Sequence, residues 1–307
     1  MNRRYIVGGM GILALGAAAV LLMPRRVPLP EQTEKLEVAA SFYPLAFFAG
    51  EIGGDHAAVA TITPAGVEPH DYELTAGDMA RIERSGLLIL NGAGLEPWGA
   101  RIRAAINPNK IAVVDISDGF MTEQRSGEGG TIADPHLWLS PVLAQKIADA
   151  LLQGFVRADP GHRAEYEANA AALAVKLVGL DRSYRDGLRD CAEKNIITSH
   201  AAFGYLGAAY GFRQVPIAGL SPDAEPSPAA LALIAEFAKK NGVKHIFFER
   251  LASPKLAQTL AREIGAQTLT LNPIEGLTGD QISQGKNYFT EMQNNLKNLQ
   301  LALRCRP

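Results

Sequence analysis

The stretch LEVAASFYPLAFFAGEIGGDHAAVATIT, residues 36–63, decides the fold. Residues 36–41 form a short β-prone run, 47–52 place apolar side chains at helical spacing, and 57–63 return to a β-prone run. Strand, helix and strand in so short a span make a βαβ unit, whose two strands lie parallel in one sheet.

The same alternation continues outward. Residues 87–91 and 111–115 read as strands, with helices over 76–85 and 98–106. A second series has strands over 196–199, 214–218, 244–249 and 267–271, separated by helices near 203–210, 228–240 and 254–264. The fold class is therefore α/β, two lobes of mostly parallel sheet flanked by helices.

Between the series, residues 159–190 open on Asp159-Pro160 and then run free of proline, with Tyr166, Leu173, Leu177 and Leu180 on one helical face. This predicts one helix of roughly 45 Å, a rigid backbone joining the lobes. Its alanine-rich stripe is too irregular for the sustained heptads of a coiled coil. A helix over 141–156 closes the first lobe, one helix over 280–304 ends the second, and Gly127, Gly129 and Gly130 mark a loop. The expected division is an N-terminal lobe over 34–158, a linking helix over 159–190 and a C-terminal lobe over 191–307.

Composition agrees with this architecture. A chain of 307 residues at 47% hydrophobic and 20% charged has material for two cores, which excludes a disordered protein. Lys+Arg 30 against Asp+Glu 32 leaves a net charge of −2, so no basic field holds nucleic acid and the partner is small. Gly 30 and Pro 18 suit many short strand-to-helix turns.

The first thirty-odd residues stand apart from the fold. Arg3 and Arg4 precede the uncharged run 6–23, followed by Arg25, Arg26 and prolines at 24, 28 and 30. This is an export signal or a membrane anchor. Ala17, Ala18 and Ala19 lie inside the apolar run instead of after it, which favours an uncleaved anchor, and the segment has no cysteine for lipoprotein processing. Either form places the folded part outside the cytoplasm, with the N-terminus in contact with the membrane. Cys191 and Cys305, the two cysteines of the chain, can pair in that compartment, with two buried thiols as the alternative.

Three of the six histidines share a context: His70 in Glu68-Pro69-His70-Asp71, His136 in Asp134-Pro135-His136-Leu137-Trp138, and His200 in Thr198-Ser199-His200-Ala201. Each lies past a predicted strand or in a loop opening onto a helix, where parallel sheets bind ligands. The intervals 136−70 = 66 and 200−136 = 64 each span two βα units, and Glu275 in Asn272-Pro273-Ile274-Glu275 follows at 275−200 = 75. Two candidates then belong to each lobe, and a metal between them would hold the lobes together. Three imidazoles and a carboxylate suit four-coordinate Zn²⁺ better than Mg²⁺ or Ca²⁺, which prefer oxygen. His56, His162 and His245 show no shared pattern.

These motifs, together with Ser41-Phe42-Tyr43-Pro44, Gly66 to Glu73, Ala201-Ala202-Phe203-Gly204-Tyr205, Phe247-Phe248-Glu249 and Leu271 to Gly276, carry a family resemblance over residues 35–305. The chain resembles the solute-binding proteins of metal-uptake ABC transporters, the ZnuA, AdcA and TroA group. The resemblance implies two α/β lobes joined by a rigid helix, a buried metal between them, ligands at His70, His136 and His200, and a monomer that delivers its ion to a membrane permease. Manganese-selective relatives carry a carboxylate where this chain has His200, so the resemblance points to zinc, with a manganese or broader specificity as the alternative. The fourth position varies in the family. Glu275 is the choice here, with water, Glu249 and Glu68 as alternatives. Zinc-type members often carry a histidine-rich loop before the second ligand histidine, and residues 122–132 contain no histidine, so scavenging by such a loop is not expected.

Two rivals remain on the sequence. A zinc hydrolase needs an open coordination position for activated water, which a closing Glu275 denies, so an enzyme is not expected. A structural zinc protein or adhesin would unfold on chelation instead of merely releasing its ion.

Overall fold

β1 (Leu36–Ala40) lies parallel to β2 (Ala57–Thr61) with Leu36 beside Ala57, and α1 (Tyr43–Gly53) connects them. The helix begins earlier than the apolar spacing alone predicts because Pro44 sits in its first turn, where a missing N–H costs nothing. This computed structural model describes residues 34–120, 124–127 and 130–306. The expected signal or anchor over 1–33 and the loop glycine Gly129 lie outside the described residues. Among the described residues no helix is long and apolar enough to cross a membrane.

The first lobe continues through α2 (Ala76–Arg84), β3 (Leu87–Leu90), α3 (Gly99–Ala105) and β4 (Ala112–Asp115). Its sheet has the order β2-β1-β3-β4, with all neighbours parallel. β5 (Gln124–Gly127) and β6 (Gly130–Ala133) then pair antiparallel, with Gly127 opposite Gly130. Glycines that the sequence suggested were a loop therefore sit at the closed end of a hairpin, a place that favours them. α4 (Pro141–Ala158) follows, and a 3-10 turn over Pro160–His162 leads into α5 (Arg163–Leu188), 26 residues and about 39 Å long.

The second lobe holds β7 (Asn195–Thr198), α6 (Gly204–Tyr210), β8 (Arg213–Pro216), α7 (Pro228–Lys240), β9 (His245–Phe248), α8 (Lys255–Ile264) and β10 (Gln267–Thr270). Its parallel sheet reads β8-β7-β9-β10, the wiring of the first lobe repeated. In each sheet the chain order reverses between the first and third strands of the lobe. That switch point opens a crevice at the carboxyl ends of the strands.

The expected single helix over 280–304 is two. α9 (Gly279–Ser283) stops before Gly285, whose φ of 72° no side chain tolerates well, and α10 (Tyr288–Ala302) restarts from an Asn287–Thr290 capping box. Cys191 and Cys305 form a disulfide that joins the end of α5 to the end of α10.

One continuous core links the lobes. Along α5 the buried face is Tyr166, Ala170, Leu173, Leu177, Leu180, Tyr184 and Leu188, which joins Val38, Phe48, Leu151 and Phe155 of the first lobe to Ile196, Leu206, Phe247 and Met292 of the second. Residues 35–307 thus form one compact unit, with α5 as its spine. Smaller clusters cover the outer face of each sheet, Ile82, Leu88 and Ile102 on the first and Ile197, Ala235 and Leu260 on the second. Sheets buried on both faces explain the unbroken apolar runs of strands such as Leu87–Leu90.

Candidate metal centre

His70, His200 and Glu275 lie in turns past the carboxyl ends of parallel strands, and His136 lies past the hairpin strand β6. His70 follows β2, His136 stands just before the 3-10 turn Leu137–Leu139, His200 follows β7, and Glu275 follows β10. The crevice brings them together: one ligand atom from each of His70, His136, His200 and Glu275 lies within 4.8 Å of all the others. His136, His200 and Glu275 are buried, whereas the His70 side chain keeps 9% of its surface, which makes it the rim of the cluster.

The spacing is informative about the ion. Glu275 Oε1 is 3.5 Å from His70 Nε2, 3.2 Å from His136 Nε2 and 3.4 Å from His200 Nε2, and the His136 and His200 Nε2 atoms are 3.3 Å apart. A tetrahedral shell with bonds of about 2.05 Å has ligand–ligand edges of about 3.3 Å. An octahedral shell at about 2.1 Å brings neighbouring ligands to about 3.0 Å. Four of the six edges are thus close to those of the tetrahedron, and all six fall within 4.8 Å. Neither oxygen of the buried Glu275 carboxylate makes a well-aligned hydrogen bond among the described residues, a costly arrangement that a cation at the centre offsets.

Two carboxylates behind the rings aim them. His136 Nδ1 is 2.8 Å from Asp134 Oδ1, which also accepts the His136 backbone N–H. His200 Nδ1 is 2.7 Å from Glu249 Oε2, and Glu249 Oε1 accepts the His200 backbone N–H. Each carboxylate favours the proton on Nδ1, so Nε2 is the nitrogen that faces the centre and offers its lone pair once the ring gives up its second proton. Glu249, an alternative fourth ligand on sequence grounds, thus stands behind His200, and Glu68 is not among the four converging groups. Sequence reasoning did not assign Asp134 this part. Its signal was the Asp-Pro-His order, in which an Asp two residues ahead can reach both the ring and the backbone N–H of the histidine.

Electrostatics follow from burial. Burial opposes charge on His200, but Glu249 and Glu275 outweigh it and raise the imidazole well above its ordinary range. The same contest, with Asp134 and Glu275 as partners, raises His136. Burial would push the Glu275 carboxyl up; the charge of His200 and contacts with the three imidazoles hold it well below the usual carboxylate range. Burial and the nearby Glu275 charge push Glu68 up to about 9.

The remaining histidines take no part. His56 and His162 stack with ring centroids 4.1 Å apart beside the start of α5, and His245 opens β9.

Residues 38–302 match the family model described as zinc-uptake complex component A, periplasmic. The chain is 40% identical over 281 residues to the high-affinity zinc uptake system protein ZnuA of Bacillus subtilis, covering 88% of each. It is similar to the Zn(II)-bound ZnuA-like domain of Streptococcus pneumoniae AdcA, with TM-score 0.77 and 38% identity over 88% of this chain and 99% of that one. Of the full-length AdcA the match spans 55%. The laminin-binding protein Lmb of Streptococcus agalactiae, described as having adhesin and metal-transporting activity, superposes with TM-score 0.79 at 32% identity, covering 88% of this chain and 100% of that one.

Proposed function

We infer how the site works from one premise: the chain belongs to the zinc-uptake complex component A family, and so is a zinc-binding, non-enzymatic solute-binding component of a zinc-uptake ABC system. Zinc is the cargo. His70, His136, His200 and Glu275 hold it, two ligands from the first lobe (34–158) and two from the second (191–307), with residues 159–190 as the spine between them. The convergence of the four ligand atoms, all within 4.8 Å of one another and 3.2 to 3.5 Å apart along four of their six edges, carries this reading, because three imidazoles and a carboxylate suit four-coordinate zinc and leave no position for a reactive water.

The protein acts as a monomer outside the cytoplasm. Residues 1–33, which contain no cysteine, contact the membrane through their apolar run, and the loaded protein hands its ion to the membrane permease. His70, the rim ligand, is the one the ion meets first.

Elemental analysis of protein purified without added metal, paired with zinc and manganese competition titrations, tests the assignment. One zinc per chain and a clear preference for zinc are expected. Equal affinity for manganese would replace it with a broad-specificity carrier.

A further inference from the structure

Ile274, the residue before Glu275, has a φ of 59°. A β-branched side chain rarely adopts a left-handed backbone, because its Cβ crowds the neighbouring carbonyl, and the conformation persists only where the surroundings enforce it. The surroundings here are a buried amide network. Asn272 Oδ1 accepts the Ile274 backbone N–H at 2.8 Å, closing the turn. Asn295, one helix away on α10, reads both sides of the Asn272 backbone: its Oδ1 accepts the Asn272 N–H at 2.8 Å and its Nδ2 donates to the Asn272 carbonyl at 2.6 Å. Glu291, one turn earlier on α10, accepts from Asn272 Nδ2 at 2.8 Å. Asn272, Asn295, Glu291 and Ile274 are all buried.

Ordinary packing does not need this arrangement. A strand leaving β10 toward a helix can turn without placing an isoleucine at positive φ, and three polar side chains in a core are a cost unless each is satisfied. What the turn achieves is direction: it rotates the residue after Ile274 inward, so that the Glu275 carboxylate lies 3.2 to 3.5 Å from three imidazoles.

We propose that Asn272, Asn295 and Glu291 are positioning residues for zinc binding, a clamp that holds Ile274 in its strained conformation so that Glu275 is presented to the ion. The clamp touches no metal and acts through Glu275 alone. The inference rests on Glu275 being a ligand.

A double-mutant cycle separates the two claims, since residues that act through one group lose their effect once that group is gone. Zinc affinity by chelator competition, and the visible absorption of the cobalt-loaded protein as a report on its ligand shell, are measured for Asn295→Leu, Glu275→Ala and the pair, with Asn295→Asp in place of the leucine variant should that fail to fold. Asn295→Leu is expected to weaken zinc about tenfold, within the range for residues that orient metal ligands. It should also shift the cobalt spectrum toward that of Glu275→Ala, and add nothing further in the Glu275→Ala background. Ile274→Gly, which tolerates positive φ, should recover much of the loss in the Asn295→Leu protein. Wild-type affinity in Asn295→Leu, or the same loss with and without Glu275, overturns the clamp while leaving Glu275 a ligand. Wild-type affinity in Glu275→Ala overturns the ligand assignment itself.

Discussion

Trp138 donates its indole N–H to the Pro273 carbonyl at 2.7 Å, so the turn that carries His136 is fastened directly to the turn that carries Glu275. Tyr288 holds the backbone of the same residue from α10, its hydroxyl donating to the Trp138 main-chain carbonyl at 2.6 Å. The two lobes are therefore joined by a polar strut beside the ligands as well as by α5. Trp138→Phe keeps most of the packed ring, removes the donor and should cost about 1–3 kcal/mol. Urea unfolding of the metal-free protein reads this as a lower midpoint at unchanged slope; an unchanged midpoint means that the strut carries no load.

Replacing His200 with alanine should weaken zinc by at least about a hundredfold, since losing a ligand exceeds the tenfold to hundredfold effect of losing its supporting partner. Replacing His245 should leave affinity within a few-fold of wild type, because that ring opens β9 away from the converging nitrogens. Equal losses in the two variants would reject the ligand assignment.

Glu249 and Asp134 act on the ring orientation of His200 and His136 without belonging to the four-atom cluster. Glu249→Gln should therefore weaken zinc about tenfold while the cobalt-loaded protein retains its four-coordinate absorption. A spectrum that changes in Glu249→Gln and not in Glu275→Ala would exchange the roles of the two glutamates.

Much of this was legible along the chain because parallel α/β sheets write themselves locally. Leu87–Leu90 and Ile196 with Ile197 are apolar runs flanked by helical windows, and His70 and His200 fall past the ends of such strands, while His136 follows a hairpin. What failed was tertiary or depended on backbone angle. The run over 280–304 keeps helical spacing straight through its break, and only Gly285 at positive φ reveals the stop. The clamp on Glu275 joins Asn272 to residues 19 and 23 positions away, a relation that no local pattern encodes. Glu249 stayed one of several alternatives to Glu275 because sequence does not say which ring nitrogen of His200 a carboxylate faces.

Proton competition should set in above the ordinary imidazole value near pH 6.5. Burial works against charge on His200 and His136, yet their carboxylate partners raise both, so the metal-free protein keeps protons on these rings at higher pH than free histidine does. Zinc needs each Nε2 bare, and binding must expel those protons. As pH falls through the raised values the protons win and affinity falls; as pH rises past them affinity levels off. Competition titrations from about pH 8 to about pH 5.5 check the sign. Constant affinity across that window would contradict histidine ligation.

The Cys191–Cys305 disulfide should stabilise the fold without tuning the metal. Its sulfurs close a span of 114 residues, for which the chain-entropy account gives an upper figure of about 5 kcal/mol, and removal of native disulfides generally costs about 2–5 kcal/mol. The backbone around it is already tied: Glu193 N–H donates to the Leu303 carbonyl at 2.9 Å, and Arg306 N–H to the Asp190 carbonyl at 2.9 Å. Losing the bond then acts mainly on the unfolded ensemble, while the native ends of α5 and α10 stay in place. The Cys191→Ser, Cys305→Ser double variant should unfold at clearly lower denaturant, with the zinc affinity of the folded protein unchanged. Parallel loss of affinity would mean that the disulfide transmits strain along α5 to the crevice, and an unchanged midpoint would mean that the backbone ties suffice without it.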